Sequence, residues 1–297
     1  MKTSPNILFF TDFSDHSSLA LLAAEGFRKL SKGKMHMIHF SDYPLQWDWV
    51  ESGVREEYLN LEIEKQRFKY LEQEMLEQIR KCEAHTTGRI ILGELKSSFG
   101  KVISEINPDI LILGHKGRGE SAFLIGSFAS KLLALAKLPV LVFKNARKPL
   151  KIAGLVDTSE EYQSILKTSF ELSLLYSAPS EIVSLWGRTF STMFDHTSFE
   201  KIKRPLNLAE SQEKEILQMM RTQIEENLPD SFHPLIKVEL SDEKQVAFHL
   251  IKILEQGKVD LIIIQKHHKA FMEKFLIGSE TRRLLEFYHG DLLILPP

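Results

Sequence analysis

"PDILILGHKGRGESAFLIGS" (108–127) joins an apolar run to a glycine-rich one. From Ile110 to Leu113 the apolar residues are consecutive, as a strand covered on both faces requires, because successive side chains point to opposite sides. Three glycines in six residues follow, Gly114, Gly117 and Gly119, and "FASKLLALAK" (128–137) then shows the apolar spacing of a helix. Glycine lets a chain turn with positive φ and lets a ligand approach the backbone closely. The N–H groups of such a loop, with a helix N-terminus at Gly126-Ser127, form an anion site. Lys116 and Arg118 add positive charge. The chemistry this suits is holding the phosphates of a nucleotide.

The pattern around this stretch occurs twice. "NILFFTD" (6–12) and "KIAGLVD" (151–157) both read as strands ending in an acid, each followed by small polar residues and an amphipathic helix. "PDILILG" (108–114) pairs with "VDLIIIQ" (259–265), "FLIGS" occurs at 123–127 and again at 275–279, and "PVLVF" (139–143) pairs with "DLLIL" (291–295). The offsets agree: Asp12 to Asp157 is 145, Gly114 to Gln265 is 151 and Gly126 to Gly278 is 152. So small a drift points to a duplicated unit.

In the first copy the spacing predicts strands near 6–11, 34–40, 88–94, 109–113 and 139–143, with helices near 16–31, 50–84, 97–107 and 124–137. The second copy predicts strands near 150–156, 181–186, 235–240, 260–264 and 291–295, with helices near 160–176, 208–228, 242–256 and 276–288. Strands alternating with helices predict an α/β fold of two tandem doubly wound domains, each a five-stranded parallel sheet with helices on both faces. The boundary falls in the polar "KNARKP" (144–149), giving domains 1–146 and 147–297. One helix is oversized. Apolar residues from Val50 to Cys82 are spaced by three, four or seven, and a helix of that length runs about 50 Å against about 17–20 Å for a strand. It must project, break (Gly53 is a candidate) or pack elsewhere.

The totals exclude several classes. Lys+Arg 38 against Asp+Glu 40 leaves no basic surplus for nucleic acid. A single cysteine, Cys82, forbids an internal disulfide and gives no sign of export. Neither a signal-peptide core nor an apolar run of about 20 residues is found, so a soluble, cytoplasmic protein with no membrane contact is expected. A G-x-x-x-x-G-K-[ST] loop is missing, and "GRGESA" (117–122) meets G-x-G-x-x-[GA] after the fourth strand, where the dinucleotide fingerprint belongs after the first. His36 and His39 lie three apart on a strand and point to opposite faces, and His267-His268 lack i, i+4 spacing, so no metal site is expected. Neither a Ser-His-Asp order nor a G-x-S-x-G elbow marks a nucleophile, and Cys82 reads as packing.

Acid, loop, repeat and fifth strand together resemble the universal stress protein family. That family has an acid after strand one, then Gly, two residues, Gly, nine residues and Gly-Ser or Gly-Thr after strand four. Here Asp12 is the acid, and Gly114, Gly117 and Gly126-Ser127 follow with eight residues in the last gap, one fewer than the family pattern. In the second copy the gap is nine, but Gln265 and His268 replace the first two glycines, so that site is expected not to bind nucleotide. The resemblance implies roles for Asp12 near the base or ribose, for Gly114 and Gly117 along the ribose–phosphate path, for Arg118 as added charge, and for Gly126 and Ser127 on phosphate. Asp12 also reads as a polar residue closing the turn before a helix, and Gly126-Ser127 as a helix start packed beneath a loop.

The resemblance further implies a tandem, non-enzymatic stress-response or regulatory protein, with ATP (and the Mg²⁺ it carries) in the N-terminal half only. Two rivals stay open: an interaction scaffold with both sites inactive, acting through 50–84 and the aromatic "SLWGRTFSTMFDHTSF" (184–199), and a slow nucleotide hydrolase. As partners it implies an intramolecular pseudo-dimer of the two domains through their last strands, a further homodimer, and a protein partner the sequence does not name.

Overall fold

A computed structural model describes residues 4–41, 54–82, 85–93, 95–115, 127–156, 163–186, 209–240, 246–266 and 279–297. The chain divides into two compact units, Lys2–Ala146 and Arg147–Pro297. The first runs β1 (Asn6–Phe10), α1 (Asp15–Ser31), β2 (Lys34–Ser41), α2 (Val54–Arg80), β3 (Thr86–Leu92), α3 (Leu95–Ile106), β4 (Ile110–Gly114), α4 (Ser127–Leu135) and β5 (Val140–Phe143). Its strands are parallel, in the order β3-β2-β1-β4-β5. The second runs β6 (Ile152–Val156), α5 (Gln163–Tyr176), β7 (Ser180–Trp186), α6 (Ala209–Asn227), β8 (Leu235–Leu240), α7 (Val246–Gln256), β9 (Leu261–Gln265), α8 (Ser279–Phe287) and β10 (Asp291–Leu295). Its parallel order, β8-β7-β6-β9-β10, repeats that of the first. Each element lies where the spacing puts it, with ends displaced by a few residues.

Consecutive burial makes the central strands. Ile7, Leu8 and Phe9 in β1, Leu111 and Ile112 in β4, and Ile262 and Ile263 in β9 are all fully enclosed. Each such side chain removed from water contributes about 1.5–3 kcal/mol. In the first unit, contacts assign helices to both faces. Thr11 meets Ser17 of α1 and Gln78 of α2 on one side. On the other, Phe10 meets Phe99 of α3 and Phe128 of α4.

Local chemistry sets the ends of α1. Ser14 holds extended backbone and its hydroxyl accepts from Ser17 N, capping the helix, with Asp15 in the first turn and Arg28 and Lys29 in the last. The helix stops where Lys32 turns left-handed and Gly33 N donates back to Arg28 O at 3.0 Å. The expected long helix is α2, 27 residues or about 40 Å, shorter at both ends than 50–84. Gly53 lies outside the described residues.

The two units fix strand four to strand one in the same way. Asp109 Oδ2 accepts from Asn6 N at 2.9 Å, and Asp260 Oδ2 accepts from Leu150 N and Lys151 N at 2.9 and 3.2 Å. Packing on strand one differs. The first unit has buried Phe9 and Ala24 where the second has Gly154 and Ser169. A Cβ on Gly154 would come within 2.6 Å of Ser169 Oγ and 2.8 Å of Ile165 Cγ2, so glycine is required for α5 to lie so near the strand.

Candidate functional site

The strand order turns back between β1 and β4, so their carboxyl ends flank the crevice where this class of sheet binds ligands. Asp12 and Gly114 sit on its two sides. Asp12 Oδ1 accepts from Ser14 N at 3.0 Å and from Ser14 Oγ at 2.6 Å, so the carboxylate braces the turn that starts α1. Between them Phe13 adopts φ 59°, a left-handed state unusual for an aromatic residue. Its buried ring lies 4.5 Å from the His39 ring. His39 Nδ1 is 2.8 Å from Thr11 O; a carbonyl only accepts, so this nitrogen carries the proton. Below, buried Thr11 Oγ1 donates to Gln78 Oε1 at 2.9 Å and accepts from Phe13 N at 3.1 Å, tying the loop to α2.

Gly114 has a packing reason of its own. A Cβ there would meet His16 O at 3.2 Å and Ala20 Cβ at 3.4 Å, so the missing side chain lets the first turns of α1 cross the end of β4. The next residue, buried His115, donates its N–H to Phe143 O at 3.1 Å, holding the exit of β4 against β5. Ser127 is the first residue of α4. Gly117, Arg118 and Gly126 lie outside the described residues.

Sequence reasoning passed over the aromatic residues of this rim. Phe10 pairs with Ile38 in the register of β1 and β2, so Phe40, two residues on, shares the face of Phe10. Phe128, in the first turn of α4, comes to both. The ring centroids are 6.0 Å apart for Phe10–Phe40, 5.8 Å for Phe10–Phe128 and 6.1 Å for Phe40–Phe128, and Phe99 stands 6.3 Å from Phe10. Such pairs add about 0.5–1.5 kcal/mol each beyond area burial. Strand parity was the available signal for Phe10 and Phe40. Nothing in the spacing tells that Phe128 turns toward them.

The second rim is built otherwise. Gln265 ends β9 where Gly114 ends β4, and Lys266 follows it as His115 does, with the same backbone tie, Lys266 N to Leu295 O at 3.0 Å. Burial pushes the Lys266 ammonium down to about 8. Asp157, His268 and Gly278 lie outside the described residues, and Ser279 opens α8.

Among the described residues no group of three or more His, Cys, Asp and Glu side chains could hold a metal ion. His36 Nδ1 meets Thr87 Oγ1 at 2.9 Å, on the face away from His39. Burial, then the charge of Glu25, pushes the Cys82 thiol up to about 11, which keeps it protonated and unreactive at neutral pH. Among the described residues no helix is long and apolar enough to cross a membrane.

The universal stress protein family model matches residues 4–144. Two solved structures share the fold over nearly the whole chain. One, a functionally unknown protein from Pseudomonas aeruginosa PAO1, is 16% identical with a TM-score of 0.66, covering 99% of this chain and 94% of that one. The other, a universal stress protein from Archaeoglobus fulgidus DSM 4304, is 13% identical with a TM-score of 0.61, covering 98% of each. No curated protein matches the chain. A doubled 3-2-1-4-5 sheet, the match over the first unit and the likeness in fold converge: residues 4–144 are similar to the universal stress protein family, and both units share its fold.

Proposed function

We infer that the protein is a regulatory, non-enzymatic universal stress protein whose first unit alone takes an adenine nucleotide. The observation that carries this reading is the meeting, at the reversal of the first sheet, of the Asp12 turn, the end of β4 at Gly114 and a helix opening at Ser127. The helix N-terminus favours phosphate, and a chain leaving β4 through glycines leaves its amides accessible. In the second unit Gln265 replaces the first glycine, which argues against a second site.

Titration calorimetry of the full chain with MgATP tests this. Saturable binding in wild type, lost in Gly117→Val, supports the reading, since a branched Cβ crowds the phosphate path. Heat-silent titrations at millimolar ATP in both proteins contradict it. The rival, a nucleotide-independent scaffold, is favoured by one observation: the rings of Phe10, Phe40 and Phe128 pack against one another at the same rim.

A further inference from the structure

We propose that the outward face of α1 docks a second copy of this chain, the two α1 helices packing antiparallel about a two-fold axis at Leu22. The inward face of α1 meets the sheet, with Ala20, Ala24 and Phe27 buried. On the outward face Leu19, Leu22 and Leu30 stand 45%, 58% and 43% exposed. At 3.6 residues per turn, Asp15, Leu19, Leu22, Gly26, Lys29 and Leu30 share an arc of about 100°. They form an apolar seam with a gap at Gly26, an acid near its start and a cation near its end, and all six are among the described residues. Single surface leucines are ordinary, whereas an aligned set marks a contact surface. The second unit shows that the fold does not require the seam: 145 residues on, Ser164, Lys167 and Glu171 stand in place of Leu19, Leu22 and Gly26.

The seam complements itself, and this identifies the occupant. A two-fold axis sets the same patch of both copies face to face, so each residue must suit the one it meets. With the axis at Leu22, that leucine meets its own counterpart, and Asp15 and Lys29, seven residues to either side, meet each other twice. Both are exposed. A parallel pairing would set acid on acid and cation on cation, whereas the antiparallel one joins opposite charges and opposes the two helix dipoles. Leu19 then falls between Leu22 and Lys29 of the second copy, as a knob enters a hole in a coiled coil. Gly26 leaves that hole empty: a Cβ there would find nothing within 4 Å. Glycine weakens a helix interior, and the packing of the first unit gives no reason for one at this place. Room for the leucine of a second copy is such a reason.

One helix pair makes a small interface, and small interfaces are weak and transient, so sedimentation of the full chain is followed over a concentration series reaching the millimolar range. A monomer–dimer equilibrium is expected in wild type. Gly26→Leu fills the hole and should weaken the dimer by about tenfold or more, while the thermal unfolding midpoint stays level or rises because nothing crowds position 26. Asp15→Lys and Lys29→Asp should each weaken it by about tenfold, and the two together should restore it. Leu22→Cys in a Cys82→Ala background should cross-link between chains under oxidised glutathione, and Leu76→Cys, equally exposed on α2, should not. A chain that stays monomeric throughout overturns the proposal and leaves the seam to a different protein. A dimer that Gly26→Leu leaves intact and Leu22→Cys does not cross-link overturns it too, since the copies then meet elsewhere. Failure of the double charge exchange to restore the dimer contradicts the antiparallel register.

Discussion

The ends of β1 and β4 and the ends of β6 and β9 occupy the same place in the same topology, yet they share little chemistry. The first rim has a hydroxyl, Thr11, bound to α1 and α2; the second has Val156, buried and apolar, at the same position. Gly114 lets a helix cross β4; Gln265 carries a full side chain there. What both units keep lies elsewhere: consecutive apolar strands, an aspartate at the start of strand four that ties down strand one, and a backbone bond from the residue after strand four to the last strand. The fold depends on these positions. The same strand order forms around either rim, so each unit can carry a different one.

The largest expected effect tests the packing of strand one. Phe9→Ala empties a fully enclosed site and should cost about 3–5 kcal/mol in urea unfolding. Its counterpart change, Gly154→Val, forces atoms against Ser169 and Ile165 and should cost about 1–3 kcal/mol or more. If valine is tolerated at 154 without loss, the two units do not pack in the contrasting ways described.

Converting one rim residue to its counterpart is a sharper test. Thr11→Val leaves Gln78 and the Phe13 N–H without their buried partner, and about 1–3 kcal/mol should be lost. No change in the unfolding midpoint would mean that the polar tie is ornamental and that either rim suits either unit.

The smallest effect is electrostatic and confined to the second unit. The native ammonium of Lys266 titrates near 8, below the ordinary lysine value of 10.5, so the folded state holds its charge at a cost below pH 8. Between about pH 8 and 10.5 the unfolded chain binds more protons than the native one, and this group makes stability rise with pH across that window. In Lys266→Met that contribution should vanish, which a series of urea midpoints against pH would reveal. An unchanged pH profile would place the amine in water.

Much of this was legible in the chain because the strongest signals are local. Buried parallel strands need unbroken apolar runs, and "DILIL" and "DLIII" are such runs; the order of elements then leaves few topologies. Asp12 was legible as an acid at a strand end and as a residue closing the turn before α1, but the choice of Ser14 as its partner was not. Gly114 was read for conformational freedom and close approach of a ligand; its fit against α1, a contact between segments nearly 100 residues apart, was not legible. Phe128 is the extreme case: its meaning depends on a helix, two strands and a face of the sheet together.

Native mass spectrometry of the full chain with MgATP measures how many of the two rims accept a nucleotide. One ATP per chain, unaffected by Lys266→Met and lost with Gly117→Val, is the predicted result. Two per chain, or one that survives Gly117→Val, contradicts the division of labour between the two units.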